Sequence, residues 1–392
     1  MEKETFTGID CHTNTGAKIS LKNGVVISKI NVDTNLVDSD TFIGQGLIDL
    51  QINGYCGVDF NTFPIFEKDF LKVINSLIKE GVTSFFPTII TNSDETILKL
   101  LTNIKELCKS NSIINSFVGG VHLEGPFISK VEGAKGAHDN QYIKAPNWDL
   151  FTVFQEASGH RIKIVTISPE WGNSTEFIKK CVQQNVIVSI GHTVASPEQI
   201  NNAVLAGATM STHLGNGAPL ELSRNSNFIF EQLANNKLTA SLISDGFHLP
   251  ASFLKIALAT KKNKAILVSD STMFADMKPG VYQSHIGGDV VLEEGGRLSL
   301  KSNPKLLAGA AVSLLFCVNQ LIKNKLATPT EAWSLGSLNP SLLLEENIKN
   351  TTSKSNNDFV LFQLINNQIE IQEVFKNNKR VYAKNNKPFL VS

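Results

Sequence analysis

Between residues 46 and 270 the chain repeats one pattern eight times: a short apolar run rich in β-branched residues, a loop, then a longer amphipathic segment. The apolar runs cover 46–53, 82–88, 118–124, 163–168, 186–192, 208–213, 238–245 and 265–270. Helical periodicity falls over 66–80, 93–110, 148–156, 173–184, 197–206, 228–235 and 251–260, and after the last run over 308–323. Several of these helices open on capping residues, such as Ser93-Asp94 and Ser196 followed by Pro197 at the first turn. Strand and helix alternating eight times predict an α/β fold, a (β/α)8 barrel of the TIM type, and argue against a sandwich or a helical bundle.

The flanks read differently. Short alternating runs at 17–21 and 24–30, and again at 359–364, 368–374 and 380–382, predict β segments outside the barrel. The simplest arrangement is a small accessory β-sandwich built from both chain ends, residues 1–45 and 345–392, beside a barrel of residues 46–344. The Asn-rich stretch 347–357 reads as a loop. A chain of 392 residues can bury a large core, so no disulfide framework is needed. Its five cysteines are widely spaced, odd in number and without a C-x-x-C pair, which fits a reducing compartment. The first sixteen residues are polar and carry no apolar export segment, and 306–318, the most apolar stretch, is too short to span a bilayer and reads as a buried helix. With 36 basic against 36 acidic side chains, no broad electrostatic footprint for nucleic acid or anionic membrane is expected. A cytoplasmic protein with a small-molecule partner is the expectation.

The polar residues that end the strands are more informative than the strands. Gln51 and Asn53, Glu124, His192, His213, Asp245 and Asp270 fall at or near the C-terminal ends of different runs. Barrel active sites are assembled at that face from several strand ends. Read singly, each has a plain alternative: Glu124, before Gly-Pro, suits a helix cap, and His192 or His213 suits a hydrogen-bonded core histidine. Read together, two imidazoles and one carboxylate supply three ligands of mixed nitrogen and oxygen type. They leave a coordination position open for water, as a catalytic zinc site requires.

Such a site needs a base. Asp270 closes the last apolar run, where an uncompensated carboxylate is costly; it can take the water's proton and pass it to a departing nitrogen. A helix cap is the alternative. His138 and His248 stand in loops after strands three and seven, placed to hydrogen-bond a substrate hydroxyl or a developing oxyanion, or simply to face solvent. Arg224 is one of only four arginines; in a loop near the site it suits phosphate or carboxylate, with a surface ion pair as the alternative.

Ordered motifs along some three hundred residues now add a resemblance. They are G-L-I-D-L-Q-I-N-G-Y-C-G-V-D-F (46–60), G-V-T-S-F-F-P-T (81–88), H-L-E-G-P-F (122–127), G-A-H (136–138), G-H-T (191–193), T-H-L-G-N (212–216), D-G-F-H (245–248), V-S-D (268–270), L-A-G (307–309) and S-L-N-P-S-L-L-L (337–344). The chain resembles the amidohydrolase superfamily, and within it the N-acetylglucosamine-6-phosphate deacetylases. That resemblance implies one divalent metal per subunit, zinc first, with iron, manganese or cobalt compatible. Its ligands would be Glu124, His192 and His213. Asp270 would be the catalytic acid/base, aided by His138. Ala137, His138, Asn216, Gly217, Asp245, His248, Leu307, Ala308 and Gly309 would line an amino-sugar pocket. Arg224 matches the family's phosphate-contacting arginine, which reaches across a homodimer interface.

Three departures from the family pattern qualify this. Where many amidohydrolases carry His-x-His on the first strand, this chain has Gln51-Ile52-Asn53. Neutral amides are weak ligands, so at most weak second-metal or water contacts are expected there. The family's Asn-Ala-Met is Asn216-Gly217-Ala218, and the Glu-Pro-Gly after the arginine is Asn225-Ser226-Asn227. The last two bear on sugar and phosphate recognition, not on the metal. The activity implied is removal of the N-acetyl group from N-acetylglucosamine 6-phosphate. Two other readings are a deacetylase of an unphosphorylated or different N-acyl substrate, and a barrel that has lost catalysis and serves as a binding module.

Overall fold

A computed structural model describes residues 3–284, 288–348 and 358–384. Eight parallel strands form one sheet in chain order: Leu47–Ile52, Val82–Ile90, Val121–Glu124, Ile162–Ile167, Ile187–Ile190, Met210–Ser211, Thr239–Leu242 and Ala265–Leu267. The sheet closes where Ile52 bridges Ser271 and Asp270 N–H donates to the Gln51 carbonyl at 2.9 Å. Neighbouring residues on a strand go to opposite sides. Ile164, Ile187 and Ile266 share one buried cluster, whereas Val165, Val188 and Leu267 join another with helix residues such as Ile178 and Leu254. That two-residue period is the pleat of a strand covered on both faces.

Helices follow the strands as the periodicity predicts, including Glu67–Lys79, Asp94–Ser110, Ser174–Gln183 and Pro197–Ala206. Ser196 and Gln199 form a reciprocal capping box with Pro197 in the first turn. Two regions depart from the expectation. The predicted helix 308–323 begins only at Leu314, because Ser313 caps it by accepting from the Phe316 N–H. Residues 306–318 are therefore not one buried helix: Leu306 and Leu307 belong to the strand Asn303–Leu307. That strand completes an antiparallel sheet with Gly280–Ser284, Gly288–Leu292 and Leu298–Leu300, inserted after the eighth barrel strand.

Both chain ends meet in a third sheet. Strands Lys3–Asp10, Gly16–Lys22, Val25–Val32, Lys379–Ala383, Gln368–Lys376, Phe359–Ile365 and Thr41–Gln45 lie side by side in that order and close on themselves through Ile9–Phe42 pairing. Trp333, fully buried, joins it to the barrel: its indole N–H donates to the Gln45 carbonyl at 2.9 Å, and a side chain at Gly44 would collide with the ring. The Asn-rich stretch splits: Asn347 ends the helix Leu338–Asn347, while 349–357 lie outside the described residues. All five cysteines are free and buried, and among the described residues no helix is long and apolar enough to cross a membrane.

Candidate active site

The barrel mouth gathers side chains from strand ends far apart in sequence. Glu124 ends the third strand; His192 and His213 stand two residues beyond the fifth and sixth, and Asp270 three beyond the eighth. His192, His213 and Asp270 hold φ of +47°, +28° and +48°. Left-handed backbone at a non-glycine residue costs about 1–2 kcal/mol and recurs where function fixes geometry.

Three donor atoms converge. Glu124 Oε1 lies 3.0 Å from His213 Nε2 and 3.4 Å from His192 Nε2, and the two Nε2 atoms are 3.0 Å apart. His192 donates from Nδ1 to the Ala134 carbonyl at 2.8 Å. That fixes its tautomer, leaving a lone pair on Nε2 aimed at the same point. Burial pushes the Glu124 carboxyl up, but the neighbouring His192 and His213 imidazoles outweigh it and hold the group well below its ordinary range. Burial works against charging His213, yet Glu124 raises it to about 8. Nitrogen and oxygen donors facing one another at these separations, buried, suit a divalent cation. Gln51 Oε1 and His213 Nδ1, on two of the residues around this cluster, are buried without a partner in this structure. Among the described residues this is one group of such geometry.

The first strand contributes neutral amides. Gln51 Nε2 donates to Glu124 Oε1 at 2.8 Å, and Asn53 Nδ2 to Asp270 Oδ1 at 2.8 Å. This Gln-x-Asn pair thus orients two carboxylates of the mouth. Burial, then the charge of Glu124, raises the Asp270 carboxyl to about 6. His138 packs edge-on to His192, ring centres 4.5 Å apart, with Nδ1 2.8 Å from Thr91 Oγ1. Burial and neighbouring His192 lower it to about 3, so the ring is neutral.

These groups open on a cavity of about 990 Å³. Ala137, His138, Asn216, Gly217, His248, Leu307, Ala308 and Gly309 line it. One expectation is corrected. Asp245 does not line the cavity: its buried carboxylate accepts from the Phe247 and His248 N–H groups at 2.8 and 2.9 Å and from His248 Nδ1 at 2.7 Å, so it orients His248 instead. Arg224 is exposed and does not line the cavity of its own chain. Sequence reasoning missed Thr91, which follows a second strand two residues longer than predicted. It also missed the wall that the inserted sheet supplies through Leu300, Lys305 and Leu306. The alternation in 288–292 and 298–300, split by Gly295-Gly296, was the available signal.

Barrel, mouth and donor set define a hydrolase barrel of the amidohydrolase type. No family model matches the chain. It is similar to the N-acetylglucosamine-6-phosphate deacetylase of Caenorhabditis elegans, 31% identical over 369 residues that cover 90% of this chain and 86% of that one. The Bacillus subtilis protein of the same name is 33% identical over 70% of this chain and 68% of its own length. The crystal structure of the Pasteurella multocida deacetylase superposes with a TM-score of 0.81 over 97% of this chain and 100% of that chain, at 22% identity, a likeness of fold. The chain belongs to the N-acetylglucosamine-6-phosphate deacetylase family.

Proposed function

We propose that this protein hydrolyses the acetamide of N-acetylglucosamine 6-phosphate to glucosamine 6-phosphate and acetate. The observation that carries the reading is the convergence of Glu124, His192 and His213 within hydrogen-bonding distance of one another, with Asp270 at the same mouth. Those three residues would hold one divalent metal, zinc for preference; when bound, it acts as a Lewis acid on the water and the amide carbonyl. His138, neutral and fixed by Thr91, donates a hydrogen bond toward the carbonyl oxygen as charge develops there. Asp270, held by Asn53, removes a proton from the attacking water and returns it to the nitrogen as the C–N bond breaks. Acetate and a free amine leave. His248, oriented by Asp245, faces the sugar.

On this reading residues 46–344 are the catalytic unit, and 1–45 with 345–392 an accessory domain. The protein works in the cytoplasm as a homodimer in which Arg224 contacts the phosphate in the neighbouring site. Its exposed position, away from its own cavity, supports that arrangement. The test is a deacetylation screen of metal-reconstituted protein across phosphorylated and free N-acetyl sugars. Preference for the 6-phosphate is expected. Equal rates on the unphosphorylated sugar would move the substrate assignment to a free N-acyl sugar, and no release of acetate from any of them would overturn the reading.

A further inference from the structure

Glu170 stands outside every role assigned above. It follows the fourth strand in Ser168-Pro169-Glu170 and is half-buried. Its Oε1 accepts from Ser129 Oγ at 2.8 Å, and its Oε2 from Ser168 Oγ at 2.8 Å and from the Val194 N–H at 3.0 Å. Its own carbonyl accepts from Gln199 Nε2 at 3.3 Å. One carboxylate thus joins the segments that leave the third, fourth and fifth strands. Among the described residues no basic side chain pairs with it, so its partners are neutral donors.

Two of those links end on His192. Val194, whose N–H is held, lies two residues beyond it. Ser129 reaches it from the other side: the Ser129 N–H donates to the His192 carbonyl at 2.9 Å, and Ser129 Oγ accepts from the Val131 N–H at 3.1 Å. Val131 opens a turn secured by Lys135 N–H to the Val131 carbonyl at 2.9 Å and His138 N–H to the Lys135 carbonyl at 3.1 Å. That turn presents the Ala134 carbonyl to His192 Nδ1 and carries His138. We infer that Glu170 is a positioning residue, clamping the loops on both sides of His192 so that its Nε2 faces Glu124 and His213. A carboxylate suits the task because each of its oxygens accepts and neither donates. The Val194 N–H can only donate, and Ser129 Oγ, already accepting from Val131, has its proton to give. A primary amide cannot accept at both oxygen positions, so glutamine at 170 loses one limb of the clamp at unchanged volume.

This inference rests on His192 being a metal ligand, and its test separates the two. The protein is loaded with Co2+, its visible absorption recorded, and its Zn2+ dissociation constant measured by chelator competition. Native protein, His192→Ala, Glu170→Gln, Ser129→Ala and the last two combined are compared. His192→Ala is expected to abolish the native spectrum; failure to do so, or no uptake by native protein, overturns the metal reading and this inference with it. Given that control, Glu170→Gln is expected to shift the absorption bands and weaken Zn2+ binding about 10–100-fold, as loss of an outer-shell partner does. Ser129→Ala should act in the same direction, and the double variant should lose no more than the worse single one. A Glu170→Gln protein whose spectrum and affinity match native within twofold overturns the clamp while leaving the metal site standing. Should that variant fail to fold, Ser129→Ala, which cuts one limb and leaves the carboxylate, decides it: an unchanged spectrum refutes the inference.

Discussion

Gly217→Ala should loosen the metal site through a direct collision with His192. Gly217 holds φ of +57°, and a Cβ there would stand 2.7 Å from His192 Nδ1 and 2.9 Å from its Cε1. Ordinary contact begins at 3.4 Å, so the imidazole must retreat by about 0.7 Å, the shortfall between 2.7 and 3.4 Å. It has little room. A Cβ at Gly136 would be only 3.2 Å from His192 Cε1, which shows how closely that backbone approaches the ring, and Nδ1 is tied to the Ala134 carbonyl at 2.8 Å. Retreat stretches that hydrogen bond, worth about 0.5–1.5 kcal/mol, and turns the side chain off its rotamer at about 0.5–1.5 kcal/mol. The sum, about 1–3 kcal/mol, corresponds to roughly 5–150-fold in metal affinity.

The strained backbone adds about 1–2 kcal/mol to the loss of fold stability whatever the side chain meets, and a second variant isolates it. Gly246 has φ of +86° and nothing within 4 Å of a Cβ. Gly246→Ala should lower the urea midpoint while leaving Zn2+ affinity near native, whereas Gly217→Ala should lower both. Chelator competition and urea titration of the two proteins measure it. A Gly217→Ala protein that binds Zn2+ within twofold of native, or an equal loss in Gly246→Ala, would refute the reasoning.

Replacing Asp270 by Asn should lower turnover about 10²–10⁴-fold while bound metal, measured by elemental analysis, stays at the native level; full activity would remove Asp270 as the base. Arg224→Ala should raise KM for the 6-phosphate and leave the free sugar unaffected. Mixing it with Asp270→Asn should restore activity through hybrid dimers, and absence of complementation would refute a contact in trans. Asp49 gives a pH dependence of stability. Fully buried, its carboxyl is raised from 3.8 to about 7 by burial, against the opposing hydrogen bonds from Ser269. The folded state therefore keeps this proton where the unfolded chain has lost it. The contribution is complete below about pH 4 and is lost as pH rises through 7. Urea midpoints between pH 4 and 8 should show that loss in native protein and a flatter profile in Asp49→Asn.

The barrel was legible because its strands are apolar runs that end abruptly in a polar residue, and because helices such as Pro197–Ala206 carry their own start signals. Site residues were legible for the same reason: Glu124, His192, His213 and Asp270 interrupt apolar sequence at one end of the repeat. Roles set by what a side chain meets were harder to read. Asp245 looked like a wall residue, though a carboxylate two and three residues before the N–H groups of Phe247 and His248 is the pattern of a local turn. Glu170 gave little local sign, since apart from Ser168, two residues before it, its carboxylate partners lie 41 and 24 residues away and become neighbours only when the barrel closes. The inserted sheet escaped because its strands are only three to five residues long and, apart from Leu298–Leu300, mostly exposed or half-buried, so the alternation they carry is too short to stand out.

The mouth of this barrel carries local costs that its own fold must offset. Three non-glycine residues in left-handed backbone, His192, His213 and Asp270, each sit just beyond a strand end. Each is held from outside: Ser129 N–H on the His192 carbonyl, Ser241 Oγ accepting from the His213 N–H at 2.7 Å, and the Gln51 carbonyl accepting from the Asp270 N–H. Beside them lie a buried carboxylate and the orphaned atoms Gln51 Oε1, Asn53 Oδ1 and His213 Nδ1. Selection for stability alone would place glycine at the positive angles and apolar groups in the mouth. Instead the surrounding hydrogen bonds hold each strained residue in place, and three of the orphaned polar atoms belong to residues of the mouth. That combination follows if the fold alone does not complete the site, and a cation held by Glu124, His192 and His213 with a polar substrate above it completes it.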